Sequence, residues 1–156
     1  KMQLCGGTFG TAIANELSVN TENNVVLFSR SQQKVDEINS CHTNKSCFPN
    51  KHLTKFLSAT SDNNEIKKAD VIFIGGTGGD TAEIVKLSEN KLKTGGRNVI
   101  GTILIETLYS VLQILDKLNF NSVDITQVTI SKSRKTTTGT MMLARNPVTI
   151  ISATKA

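Results

Sequence analysis

Short continuous apolar runs alternate along this chain with segments whose apolar residues recur at helical spacing. Val25-Val26-Leu27-Phe28 and Val71-Ile72-Phe73-Ile74 are the runs, and unbroken apolar stretches of this length read as strands covered on both faces; Asn98-Val99-Ile100 gives another strand. Met2 to Cys5 and Leu57 to Thr60 are weaker versions, the first short for a central strand. Between them, Ile13 and Leu17 mark one helix, and Ser31 caps a second from Gln32 to Asn39 with Val35 and Ile38 inward. A brief helical turn is expected around Asn63 to Lys68. A third helix is expected from Asp80 to Leu92, with Ile84, Val85 and Leu87 apolar. The strongest helix runs from Glu106 to Leu118, with Leu108, Val111, Leu112 and Leu115 at i, i+3, i+4 and i+7. Ser122 to Ile130 and Val148 to Ile151 read as further strands, separated by a basic, Thr-rich loop from Ser131 to Thr140. Alternation of strand and helix predicts a parallel twisted sheet with right-handed crossovers and helices on both faces.

Composition narrows the class. The 156 residues fit one domain, 1–156, large enough for a real core, with 38% hydrophobic and 20% charged residues. No apolar run approaches the roughly 18 residues of a membrane span, and no signal peptide is recognisable. A net charge of +5 could suit nucleic acid, but Trp is absent, Tyr occurs once and the lysines are scattered, so nucleic acid is not the expected partner. Cys5, Cys41 and Cys47 have no C-x-x-C spacing. Neither zinc nor a disulfide framework is indicated, and reduced thiols in a cytoplasmic protein are the simplest account. No metal site is expected.

Candidate chemistry lies at the start, Cys5-Gly6-Gly7-Thr8-Phe9-Gly10-Thr11-Ala12. A strand that turns on glycines into a helix aims unpaired N–H groups and the positive end of the helix dipole at one point, which suits a pyrophosphate. Gly7 and Gly10 align with the last two glycines of G-x-G-x-x-G, and Cys5 stands where the first should be. Small Thr11, Ala12 and Ala14 let that helix approach the sheet. The second strand ends in Ser29-Arg30-Ser31, where the fingerprint has a ribose-binding carboxylate. Arg tolerates a 2′-phosphate and can stack on adenine, so NAD and NADP both stay open. The expected fold is thus α/β, a Rossmann-type sheet with the glycine turn at the switch point between the first and fourth strands.

An ordered set of residues goes further. Gly7-Thr8-Phe9-Gly10-Thr11-Ala12, Leu27-Phe28-Ser29-Arg30, Asn39, Phe48-Pro49-Asn50, Ser58 to Asp62 and Ala69-Asp70-Val71-Ile72 resemble, in order and spacing, the cofactor domain of NAD(P)-dependent glycerol-3-phosphate dehydrogenase. The likeness covers about the first 75 residues well. Thr107 to Leu115 and Met142 to Ala153 follow more loosely. The resemblance implies that Thr8 and Phe9 contact the phosphates and nicotinamide half of NAD or NADP, Arg30 and Ser31 the adenosine end, and Phe48 a neighbouring part of the groove, with Gly7 and Gly10 shaping the turn. It also implies a helical C-terminal substrate domain in the intact protein, hydride exchange between glycerol 3-phosphate and dihydroxyacetone phosphate, and a possible homodimer.

The pattern departs from that family after Ile74. Gly75 to Gly79 replaces a Val-Pro-Ser-like turn, Gly101-Thr102-Ile103 replaces a Lys-Gly pair, and the Lys132 to Thr140 loop takes the place of a Gly-Pro-Ser/Thr-Phe-Ala motif. Either residues at turns are missing, or the protein is degenerate and has lost activity. With the substrate lysine and second domain absent, this chain alone is expected to be inactive. Its catalytic residues are not identified, since His42 and His52 lack a Ser, Cys or Asp at recognisable spacing. Two rivals stand beside the dehydrogenase reading: a non-catalytic dinucleotide-binding module, and another two-domain dehydrogenase such as a ketopantoate reductase.

Overall fold

The computed structural model describes the whole chain except Lys1, Gly6, Ile66, Lys67 and residues 76–79, with the side chains of residues 2–5 and Asn63 also outside the description. The Gly75 to Gly79 turn therefore lies largely outside the described residues. Five strands run parallel: β1 (Met2–Cys5), β2 (Val25–Phe28), β3 (Ser58–Thr60), β4 (Ala69–Gly75) and β5 (Leu92–Thr102). Helices α1 (Thr8–Val19), α2 (Gln32–Cys41), α3 (Thr81–Glu89) and α4 (Ile105–Leu115) lie between and after them, with a 3-10 turn at Asn63–Glu65. The sheet order is β3-β2-β1-β4-β5, continued by β9 (Val148–Lys155) and β6 (Phe120–Val128), so β1 and β4 flank the expected switch point. The α/β expectation stands.

The far side of the sheet differs from an all-parallel one. Strand β6 (Phe120–Val128) forms the edge, and the last strand, β9 (Val148–Lys155), enters between β5 and β6, antiparallel to both. Ile151 and Ala153 of β9 are fully buried with Ile74, Ile100, Val85, Val111 and Leu115. A second cluster joins Ala14 of α1, Val35 and Ile38 of α2, and Val25, Leu27 and Ala59 of the sheet. Burying a side chain such as Leu27 or Ile151 stabilises the fold by roughly 2 kcal/mol.

Three local expectations are corrected. Helix α3 ends at Glu89 rather than Leu92, because Leu92 already begins β5. Its inward stripe is Thr81, Val85 and Ser88, and Leu87 is exposed. Ser88 can be buried because its hydroxyl donates to Val85 O and accepts from Asn98 Nδ2, both at 2.6 Å. The Ser131 to Thr140 loop is a hairpin instead, β7 (Ser131–Lys135) against β8 (Thr140–Ala144), closed by Thr136 N–H donating to Gly139 O at 2.8 Å. Almost every residue of it is exposed, so its strands need no apolar alternation and leave no periodic trace.

Candidate functional site

Ligands of open α/β sheets sit beyond the carboxyl ends of the strands at the switch point. Here that position is framed by α1, the ends of β4 and β5, and the residues following β2. Helix α1 starts at Thr8 with Gly7 as N-cap, without a side-chain cap or an acidic residue in its first turn. Its first intrahelical bond is Thr11 N–H to Gly7 O, 2.9 Å, so the N–H groups before Thr11 have no acceptor within the helix. Gly10, Thr11, Ala14 and Ser18 are buried, which holds the helix close to the sheet.

Phe9 is different. Its ring is half exposed, at 50%, and reaches over Gly75 and Gly101, which are register partners on β4 and β5. A Cβ at Gly75 would lie 3.5 Å from Phe9 Cδ1, and one at Gly101 3.7 Å from Cε1. An Ala would just fit at either place; anything larger would meet the ring.

The adenosine-end residues behave unequally. Arg30 is exposed and its guanidinium lies 3.5 Å from the carboxylate of Asp80, the N-cap of α3. Ser31 serves α2: its hydroxyl accepts from Lys34 N–H at 3.4 Å, while its own N–H donates to Ser29 Oγ at 3.2 Å. Phe48 is half-buried and donates its N–H to Asn44 O at 2.8 Å. Asn44, fully buried, donates through Nδ2 to Thr11 Oγ1 at 3.1 Å, fastening the Phe48 segment to α1. Thus Phe9, which shares the start of α1 with Gly7, Thr8 and Gly10, meets Gly75 and Gly101, Arg30 meets Asp80, Phe48 is tied in through Asn44, and Ser31 is occupied elsewhere.

Asp80, Asn44 and the glycine pair were not legible as site residues. Asp80 carries only the signal of a helix start, fifty positions from its partner Arg30, and nothing local marks the glycines as opposed.

The polar segment after α2 is anchored by Glu37, whose Oε1 accepts from Lys45 N–H and Thr43 Oγ1, both at 2.8 Å. Those bonds, the Lys45 amide first, hold its carboxyl below the ordinary range. A cavity of about 460 Å³ beside it is lined by Cys41, Thr43, Lys45, Pro49, Asn50, Lys51 and His52, none of them among the site residues above. His42 caps α2 in the left-handed conformation, its N–H donating to Ile38 O. Asp70 is pushed down to about 2, chiefly by its hydrogen bond from Lys93; it sits at the opposite end of β4 from the site. Among the described residues no cluster of metal-ligating side chains occurs and no helix is long and apolar enough to cross a membrane.

The family model of the NAD-dependent glycerol-3-phosphate dehydrogenase N-terminus matches residues 3–106. Curated relatives point elsewhere. A probable cobalt-precorrin-6B C(15)-methyltransferase (decarboxylating) of Saccharolobus solfataricus is 45% identical over 89 residues, 57% of this chain and 45% of that protein. The chain spans about half the length of the curated relatives it matches first. Among solved structures, the precorrin 8W decarboxylase of Methanobacterium thermoautotrophicum aligns with TM-score 0.71 at 27% identity, over 99% of this chain and 81% of that one. The precorrin-6y C5,15-methyltransferase of Geobacter metallireducens reaches TM-score 0.74 at 21% identity, over 99% and 78%, and shares the fold.

These findings overturn the functional expectation. An oxidoreductase using NAD or NADP, glycerol 3-phosphate or dihydroxyacetone phosphate as partner, and both rivals, the non-catalytic dinucleotide module and the ketopantoate reductase, give way to methyltransferase relatives. The physical reason for the error is that the opening βαβ unit with its glycine turn is shared by nucleotide-binding folds of different chemistry, so it fixes the fold and not the reaction. By the extent of its matched segment the chain belongs to the family described as NAD-dependent glycerol-3-phosphate dehydrogenase N-terminus, a membership that covers its strands β1 to β5 without fixing its chemistry.

Proposed function

We propose that the chain forms the cofactor-binding core of a methyltransferase that uses S-adenosylmethionine and acts on a corrinoid precursor of the cobalt-precorrin-6B kind. The observation that carries this reading is the 45% identity over 89 residues to a protein named for that reaction. The fold supports it, through structural neighbours that cover almost the whole chain. The site residues fit the group. The residues at the ends of β4 and β5, Gly75, Gly101, Thr102, Ile103 and Leu104, carry no charge, and Arg30 is paired with Asp80, an arrangement that favours a ligand without phosphates.

Bound S-adenosylmethionine supplies a methyl group made electrophilic by a sulfonium. Within the chain, the N–H groups of Gly7, Thr8, Phe9 and Gly10, which have no acceptor within the helix, suit a carboxylate at the positive end of α1. Asp80, at the rim beside Arg30, is placed to accept from ribose hydroxyls, and Phe48 adds apolar surface through the Asn44 tether. Ser31 acts indirectly, by fixing the start of α2 after Arg30. A cytoplasmic location belongs to the same reading, consistent with Cys41 and Cys47 being thiols.

Titration calorimetry of the chain with S-adenosylhomocysteine, S-adenosylmethionine, NADH and NADPH tests this. Saturable binding of the first two with Kd of about 1–100 µM, and none of the dinucleotides, is the expected result. Dinucleotide binding without binding of either adenosyl compound would overturn it.

A further inference from the structure

Phe9 is a large aromatic side chain at the switch point that neither cluster of the core takes in. Helix α1 buries Gly10, Thr11, Ala14 and Ser18, and Phe9 falls outside that stripe with its ring half exposed. Its Cδ1–Cε1 edge is seated on the Gly75–Gly101 pair, where the missing side chains leave room for a ring and the two glycines themselves bring no charge. Arg30, the cation that follows β2, is engaged by Asp80. An aromatic face is electron-rich and attracts cations lying over it, more strongly where water is displaced.

We propose that the Phe9 ring is the contact for the positive sulfonium of the methyl donor, and that it distinguishes the charged donor from the neutral thioether left after transfer. This rests on the methyltransferase reading. In physical terms the ring holds the donor more tightly than the spent product, so the methyl group's departure itself weakens binding.

The test compares wild type, Phe9→Leu and Phe9→Tyr in calorimetric titrations with S-adenosylmethionine and S-adenosylhomocysteine, with thermal unfolding confirming that each variant folds. Phe9→Leu keeps apolar bulk and removes the π face; it should weaken S-adenosylmethionine about three- to tenfold and S-adenosylhomocysteine less than about twofold. Phe9→Tyr, which keeps the face, should restore the preference. Equal weakening of both ligands by Phe9→Leu, or no effect on S-adenosylmethionine, would overturn the role of the ring while leaving the methyltransferase reading intact. Failure of wild type to bind either ligand would overturn that reading and this inference with it.

Discussion

Gly95 and Gly96 show how single positions constrain this fold. They lie in β5 where its register with β4 shifts, Ala69 pairing with Leu92 and Val71 with Arg97. Gly95 has φ +75° with open space around it, whereas a Cβ at Gly96 would stand 2.8 Å from Lys93 O and 3.2 Å from Ala69 O, both backbone atoms that side-chain motion cannot relieve. Gly95→Ala should cost about 1 kcal/mol through its left-handed conformation, and Gly96→Ala about 2–3 kcal/mol through displacement of the strand. Urea unfolding of both variants checks the order; a Gly96→Ala protein as stable as Gly95→Ala would contradict it. Arg30 shows the limit of reading residues singly. Its place after β2 is evident from the chain, but the carboxylate that holds it, Asp80, reaches it only through the fold.

Between elements, the clearest fastening is Asn39. From the end of α2 its side-chain amide donates to Ala59 O at 2.9 Å and accepts from Ala59 N–H at 2.8 Å, completing the outer edge of β3 as another strand would. Asn39→Ala should cost about 2 kcal/mol, near 1 for each hydrogen bond, and loosen the edge. Asn39→Asp should do comparable harm, since a carboxylate cannot donate to Ala59 O. Hydrogen exchange at the Ala59 amide reports this directly, and unchanged protection in Asn39→Ala would refute it. Elements with a periodic buried face were legible: β2, β4, α2 and α4 lie close to where the apolar pattern puts them. The inward face of α3 was not, because its burial of Ser88 depends on Asn98, ten residues on and in a different element.

For the whole molecule, β9 matters more than its eight residues suggest. Removing Val148–Lys155 would strip Ile151 and Ala153 from the core and leave β5 and β6 without their shared partner. That truncation should not fold cooperatively. Replacing residues 131–144 with a short turn should instead leave Tm within about 5 °C, since the hairpin is exposed and Val128 already pairs with Val148. Circular dichroism melts of both decide, and a folded β9 truncation would count against the architecture's dependence on it. The chemistry was misread because its signals sit in widely shared architecture. The glycine turn, Arg30 and the Phe48 segment all belong to the parallel half, which many nucleotide-binding proteins share, while the reversed strand reads in sequence as just one more apolar run. Its interior slot has a consequence for biogenesis. On the ribosome, β5 waits with one bare edge until the last strand in chain order emerges, and a bare edge accepts any strand that arrives, including one from a neighbouring nascent chain. Crowded synthesis should therefore yield intertwined species that the finished fold, once closed, would never form.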